Sequence, residues 1–296
     1  MSQSRSHSIT AVLRTIRFHQ WTKNLLVFIP LIMAHNVASQ APFLRGLLAF
    51  LSFSLFASAT YVLNDLIDRE RDRKHPKKSS RPLASGDVSV GTAWILIGFL
   101  LAGGFAASWS LPRPFLWICS GYFAGSLLYS LRFKKIVLMD VMTLALFYTL
   151  RIFAGSVACE VPISSWLLAY SIFIFFSLAL LKRYSELKAL THEEGVFTGR
   201  GYRKGDLESL AQLGTASGYL SVLVLALYVS SGEVTALYSH PRLLWFLCPV
   251  MLYWVSRIWL LAHRGNIPDE PIVFALRDPA SYVAGALAGL IVWMAS

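Results

Sequence analysis

Asn64-Asp65-Leu66-Ile67-Asp68-Arg69-Glu70-Arg71-Asp72 begins where an apolar stretch over 43–63 ends, and that junction decides how the chain is read. A helix needs about 20 mostly apolar residues to cross a bilayer. The upstream run meets that length, so the acids mark its polar end. Similar stretches recur along the chain at 19–38, 43–63, 91–110, 114–131, 137–158, 163–181, 209–229, 243–262 and 278–295. Composition agrees: of 296 residues, 55% are hydrophobic and 15% charged, where a soluble domain has about 25% charged. A soluble globule, a disordered chain, a coiled coil and a small disulfide scaffold are excluded. The expected fold class is an all-α integral membrane protein with nine transmembrane helices, forming a single domain over 1–296.

The net charge of +11 would suggest nucleic acid in a soluble protein. In an apolar chain it points to cytoplasmic loops, anionic lipid or phosphorylated substrates, so the bilayer is the expected partner and nucleic acid is not. Cys119, Cys159 and Cys248 lie far apart in or beside apolar stretches, which suits buried thiols. The basic N-terminus is not followed by a short apolar core with a small-residue cleavage site, so the first apolar stretch reads as a retained span. No internal repeat is evident. Of 27 Lys and Arg, 22 fall before or at the start of span one, as Lys23 does, or after spans two, four, six and eight. The opposite side has Arg45, at the start of span two, with Arg113 and Arg242, while Arg151 and Arg257 fall deep within spans. The positive-inside rule then places the N-terminus in the cytoplasm, the C-terminus outside and the polar chemistry at the cytoplasmic face. The expected location is the inner membrane of a bacterium.

The acid-rich run carries most of the chemistry. At 100° per residue, Asn64, Asp68, Asp72 and Asp65 share one helix face while Glu70 points away. Asp68 and Asp72 are one turn apart, a spacing at which carboxylates repel unless a cation joins them. Hard oxygen ligands suit Mg²⁺, which keeps some water and binds substrate phosphates as well. A helix end held in salt bridges by its basic neighbours is the other reading of a DxxxD spacing. The full N-D-x-x-D-x-x-x-D, followed by Lys77, Lys78 and Arg81-Pro82-Leu83, favours metal and diphosphate.

Asn64 to Asp72, with Arg81-Pro82-Leu83-Ala84-Ser85-Gly86, resembles the first aspartate-rich signature of the UbiA superfamily of intramembrane transferases. The resemblance implies nine helices around a central cavity open to the cytoplasm. It implies Mg²⁺, with Mn²⁺ as a substitute, on Asn64, Asp68 and Asp72, and catalytic roles for Asp65, Asp68 and Asp72. Prenyltransferases of this family carry a second aspartate-rich motif after span six. This chain has Lys182-Arg183-Tyr184-Ser185-Glu186-Leu187 there, with one acid and two cations. That stretch, the opening Arg17-Phe18-His19-Gln20-Trp21-Thr22-Lys23-Asn24, and Phe274-Ala275-Leu276-Arg277-Asp278 resemble the decaprenyl-phosphate phosphoribosyltransferase branch. The branch implies attack by a polyprenyl phosphate on phosphoribosyl pyrophosphate with loss of pyrophosphate, in a cell-envelope arabinose-donor pathway. The competing reading is a UbiA-type transfer of an isoprenyl group to an aromatic or other small acceptor. A lipid-phosphate or cation transporter would need acids spread through several spans, and here they cluster at cytoplasmic ends.

The resemblance carries Glu186 as the catalytic acid of the altered second motif. It carries Lys23, Asn24, Lys78, Arg81, Tyr129, Lys134, Asp140, Lys182, Arg183 and Tyr184 as substrate-binding residues. Tyr129, Lys134 and Asp140 belong to a basic loop between spans four and five, where a topology anchor explains Arg132, Lys134 and Lys135 almost as well. Arg151 lies deep in span five and is costly there, so it must face a polar cavity or pair with another group; it is counted with the substrate-binding residues. Arg257 is read as structural. The run from Gly195 to Gly205 is a linker or a phosphate-contacting loop. The sequence leaves a homo-oligomer open.

Overall fold

The computed structural model describes residues 10–34, 39–74, 78–189, 200–267, 271–275 and 277–296, so Lys77, Gly195 and Leu276 lie outside the described residues. Every ordered element among them is helical. By length and composition six helices can cross a membrane: Gln40–Ile67, Val90–Ser108, Met139–Cys159, Ser165–Lys188, Lys204–Val229 and Pro241–His263. The other three expected crossings differ for separate reasons. The first is a 3-10 helix over Phe18–Phe28 followed by a short α-helix, Ile29–Met33. Arg113–Leu131 has the length, but Ser120, Gly121, Tyr122, Ser126, Tyr129 and Ser130 dilute its apolar character. The last, Pro279–Ala295, is a 17-residue helix.

The chain divides into two compact units, Met1–Phe133 with Leu150–Ile163, and Lys134–Thr149 with Ser164–Ser296. In the first unit, Gln40–Ile67 packs along Val90–Ser108 through Ala59, Val62, Leu83, Ala93, Ile97 and Leu100. Ser52 Oγ donates to the Gly104 carbonyl at 2.8 Å, and Phe56 lies against the same glycine. Small residues and buried hydroxyls are what hold helices together where lipid removes the hydrophobic drive. The 3-10 segment is seated the same way, since a Cβ at Gly155 would stand 1.9 Å from the Val27 carbonyl oxygen. Arg45 pairs with Glu160, which brings the start of Gln40–Ile67 to the end of Met139–Cys159.

In the second unit Ser165–Lys188 packs on Leu207–Val229. Ser217 Oγ donates to the Phe173 carbonyl at 2.7 Å, and Ser177 Oγ donates to the Gly214 carbonyl at 2.6 Å. Trp259 covers Gly214 and donates its indole N–H to Ser177 Oγ at 3.0 Å. Arg257 is structural as expected, with its guanidinium forked onto Asp278 at 2.7 and 2.9 Å. Asp278 also caps Pro279–Ala295 by accepting from the Ser281 N–H. The three cysteines are free, with Cys119 and Cys159 buried and Cys248 half-buried rather than enclosed. Gly104, Gly155 and Gly214 make tight contacts, whereas Gly98, Gly121, Gly285 and Gly289 have no neighbour within 4 Å of a built Cβ.

Gly155→Ala should therefore destabilise the detergent-solubilised protein by about 1–3 kcal/mol, as overpacking does. Gly98→Ala, facing open space, should leave the melting temperature unchanged. Equal melting temperatures for the two variants would contradict this packing.

Candidate active site

The acid-rich motif straddles a helix junction. Gln40–Ile67 ends at Asp68, and Arg69–Arg73 continues after it. Two backbone bonds carry the helical register across, Asp68 N–H to Asn64 C=O at 2.9 Å and Asp72 N–H to Asp68 C=O at 2.8 Å. Asn64, Asp68 and Asp72 therefore stay on consecutive turns. Burial follows the face expected for them: Asp65 and Asp72 are buried and Asp68 and Asn64 half-buried. Glu70 is exposed and binds Arg73.

Asp65 is fixed from two directions. Arg17 donates one nitrogen to both of its oxygens at 2.6 and 2.7 Å, and Arg81 Nη1 reaches Oδ1 at 3.0 Å. The same Arg81 nitrogen donates to Asp72 Oδ2 at 2.7 Å. Arg81 thus bridges two acids of the motif, and Arg71 lies 3.6 Å from Asp68. The remaining basic residues hold Arg81 in place. Arg69 and Arg73 each donate to a carbonyl of the Pro82–Ser85 helix, Leu83 and Ala84, at 3.1 Å. Arg81 N–H binds the carbonyl of Lys78 at 3.0 Å, and Lys78 itself is half-buried. The helix end is therefore bound into ion pairs, as one of the two sequence readings held.

The donor set of Asn64, Asp68 and Asp72 fits a hard divalent ion in chemistry, with two carboxylates and one amide oxygen on one face. No three His, Cys, Asp or Glu side chains converge among the described residues. A cation on this face would complete its shell from water and substrate phosphate, the usual habit of Mg²⁺.

Arg151 is buried in the same unit, 3% exposed. Its Nε donates to Asn24 Oδ1 at 2.8 Å and one terminal nitrogen to the Tyr122 hydroxyl at 3.2 Å. Its guanidinium lies 5.1 Å from the ring centroids of both Phe53 and Tyr122. Asn24 donates to Ser54 Oγ at 2.9 Å, and nearby Trp21 donates to Ser58 Oγ at 3.0 Å. Amides, hydroxyls and ring faces thus surround the buried charge. Lys23 and Tyr129 are half-buried, and His19 is exposed.

The second unit holds another charged cluster. Arg183 and Asp140 are 1% and 0% exposed, with Nε and Oδ2 at 2.6 Å. Arg183 also pairs with Glu186, and Arg200 Nη1 donates to Asp140 Oδ1 at 3.1 Å. Arg183 and Arg200 together balance the charges of Asp140 and Glu186. Lys182 is half-buried on the same helix, and Tyr184 shares its hydroxyl with His263 Nδ1 at 3.1 Å while its ring meets Trp259 edge-on. Lys134 is buried in the turn that begins the unit.

That turn is conformationally strained. Leu138 has φ 64, a left-handed geometry that costs a side-chain-bearing residue about 1–2 kcal/mol. Its N–H is held by the Tyr202 oxygen at 3.0 Å. Burial, and then the Asp140 charge, push the Tyr202 hydroxyl up to about 12, so it stays protonated.

Sequence reasoning missed Arg17 as the partner of Asp65, Tyr122 beside Arg151, Arg200 beside Asp140, and Tyr202 beside Leu138. For Arg17 a signal existed, since it stands in the quoted Arg17 to Asn24 stretch and a buried Asp needs a base. The other pairs join residues 29, 60 and 64 positions apart and leave no local spacing to read.

The comparisons with known proteins cover nearly the whole chain. A family model described as the UbiA prenyltransferase family matches residues 25–277. The uncharacterized protein y4nM of Sinorhizobium fredii is 38% identical over 97% of this chain, which spans only 56% of that protein's length. Nodulation protein NoeC of Azorhizobium caulinodans is 35% identical, covering 94% of this chain and 91% of its own. Decaprenyl-phosphate phosphoribosyltransferase of Mycobacterium tuberculosis is 30% identical over the same shares, 94% and 91%. Among solved structures, a UbiA homolog from Archaeoglobus fulgidus bound to DMAPP and Mg²⁺ superposes with a TM-score of 0.71 at 19% identity. The match covers 95% of this chain and 96% of that one.

Removing one partner of a buried ion pair typically costs about 3–5 kcal/mol, because the other charge is left uncompensated. Arg183→Gln should therefore lower the melting temperature steeply, whereas Lys182→Gln on the half-buried neighbouring position should change it little. Comparable small shifts for both would show that Arg183 does not carry the buried charge balance.

Proposed function

The chain belongs to the UbiA prenyltransferase family, and we propose that it transfers 5-phosphoribose from phosphoribosyl pyrophosphate to a polyprenyl phosphate. The observation that carries the proposal is the make-up of residues 182–186. Two acids at a one-turn spacing would serve a second metal there, but the single acid, Glu186, is already bound by Arg183. The likeness to decaprenyl-phosphate phosphoribosyltransferase over 94% of the chain supports the same reading.

A phosphate oxygen of the lipid attacks C1 of the sugar diphosphate. The C1–O bond to pyrophosphate breaks, and pyrophosphate leaves with the electron pair. A phosphate acceptor is already ionised near neutral pH, so no strong general base is required. Orientation and charge stabilisation do the rest, because two polyanions must be brought together. Asn64, Asp68 and Asp72 would hold Mg²⁺, or Mn²⁺ in its place, and the ion would supply positive charge to the pyrophosphate leaving group. Asp65 keeps Arg17 and Arg81 in position beside those ligands, and Lys78 and Arg81 supply positive charge to the diphosphate. Lys134 and Lys182 serve the donor phosphates, Tyr129 and Tyr184 its polar groups. Lys23 and Asn24 belong to the lipid phosphate, with Arg151 orienting Asn24. Arg183, Asp140 and Glu186 act by holding one another in register.

The proposal keeps nine crossings around a cytoplasm-facing cavity in a bacterial inner membrane, with the N-terminus inside. It makes the product a polyprenyl-linked pentose for the cell envelope.

Purified protein offered both substrate pairs should form product from labelled phosphoribosyl pyrophosphate with decaprenyl phosphate, and none from an allylic diphosphate with an aromatic acid. Product from the second pair alone would overturn the reading. Excess EDTA should abolish turnover, with Mg²⁺ or Mn²⁺ restoring it. Asp68→Asn and Asp72→Asn should each lower kcat by about 10²-fold or more, the scale of losing a transition-state charge partner.

A further inference from the structure

Three consecutive residues beyond the altered second motif, Arg200, Gly201 and Tyr202, each touch the turn that carries Lys134. Arg200 donates to Asp140 Oδ1 at 3.1 Å and keeps its side chain 24% exposed. Gly201, at φ 75, approaches so closely that a Cβ would stand 2.8 Å from the Lys135 carbonyl oxygen and 3.3 Å from Val137. Tyr202 is fully buried and accepts the Leu138 N–H at 3.0 Å. Two left-handed residues, Leu138 and Gly201, therefore belong to the two strips of chain that meet here. For a residue with a side chain, here Leu138, such geometry persists only where surrounding contacts hold it, and it concentrates at functional sites. Beneath the strips, Asp140 is shared between Arg200 and the buried Arg183 of Ser165–Lys188.

We infer that Arg200, Gly201 and Tyr202 form a clamp that fixes the 134–140 turn and so positions Lys134 for the donor's phosphates. The sequence offers this run as a linker or as a loop that itself contacts phosphate; the contacts give these three residues a different part. Their role is positioning: Arg200 sets the Asp140 carboxylate that orients Arg183, while Gly201 and Tyr202 set the backbone from Lys135 to Leu138. A displaced turn carries Lys134 away from a polyanion, and it leaves the apolar surface for a lipid chain unaltered. The identity of the donor rests on the phosphoribosyl transfer proposed above.

The test compares Gly201→Ala and Tyr202→Phe with Gly265→Ala. Gly265 also has a left-handed φ of 80, with nothing within 4 Å of a built Cβ, so it controls for backbone strain without contact. Wild-type protein is first assayed with phosphoribosyl pyrophosphate and with an allylic diphosphate. The donor it uses decides the reaction, and the variants are then measured on that donor, so the two claims fail separately. Both clamp variants should raise the donor KM by about fivefold, the worth of one hydrogen bond, with the KM for polyprenyl phosphate unchanged; Gly201→Ala should also lower the melting temperature, since its Cβ would press on the Lys135 carbonyl. Arg200→Lys, which keeps the charge on Asp140, should recover donor affinity that Arg200→Gln loses. Tyr202→Phe adds no atoms and carries the test should Gly201→Ala fail to fold. Donor KM values equal to wild type, or a shift matched by Gly265→Ala, would overturn the clamp.

Discussion

A carboxylate or a guanidinium taken out of water must find a partner, and in this protein that requirement decides where most of the acids and arginines sit. Each unit meets it in its own way. In the first, Asp65 takes Arg17 and Arg81, and Arg81 goes on to Asp72. In the second, Asp140 takes Arg183 and Arg200, while Arg183 goes on to Glu186. Both are chains of alternating charge anchored on a buried acid. Around them the apolar helices are joined by serine hydroxyls and indole N–H groups as well as by Arg45–Glu160, Arg257–Asp278 and the Arg151–Asn24 contact.

This arrangement sorts the basic residues by task. An arginine enclosed between two acids is spent on architecture, because moving it would strand a charge in a medium where stranding is costly. Arg183 is of that kind. Arg81 differs, since it is about a quarter exposed and bridges two acids at a helix end. A diphosphate brought there competes with those acids for the same guanidinium, which makes Arg81 suited to a partner exchange that Arg183 cannot make. Lysines suit the remaining positions, as compact charges on flexible stems that follow a substrate rather than fix a frame.

Much of this was legible in the sequence. The 3.6-residue period placed Asn64, Asp68 and Asp72 together and sent Glu70 outward, because a helix end obeys the same geometry whether or not its neighbours are known. The nine apolar stretches were visible too, though the first was not foreseen as a 3-10 segment. Hydropathy counts apolar residues and is blind to a backbone pressed against Gly155. The partners of the acids were less legible. Arg17 stood in a stretch already singled out, but the base that Asp65 requires lies 48 residues from it. Arg200 and Tyr202 were hidden in a glycine-rich run that composition describes as a linker. Only the fold reveals that its far end is pinned to the 134–140 turn.

The account's central claim is that the C1–pyrophosphate bond of the sugar donor breaks and a polyprenyl phosphate takes its place. Following two labels tests it directly, with phosphoribosyl pyrophosphate carrying phosphorus-32 either at the 5-phosphate or at the β-phosphate. The claim predicts that the 5-phosphate label enters the lipid fraction in step with release of the β-label as pyrophosphate. Lipid that gains neither label while an allylic diphosphate is consumed would contradict it.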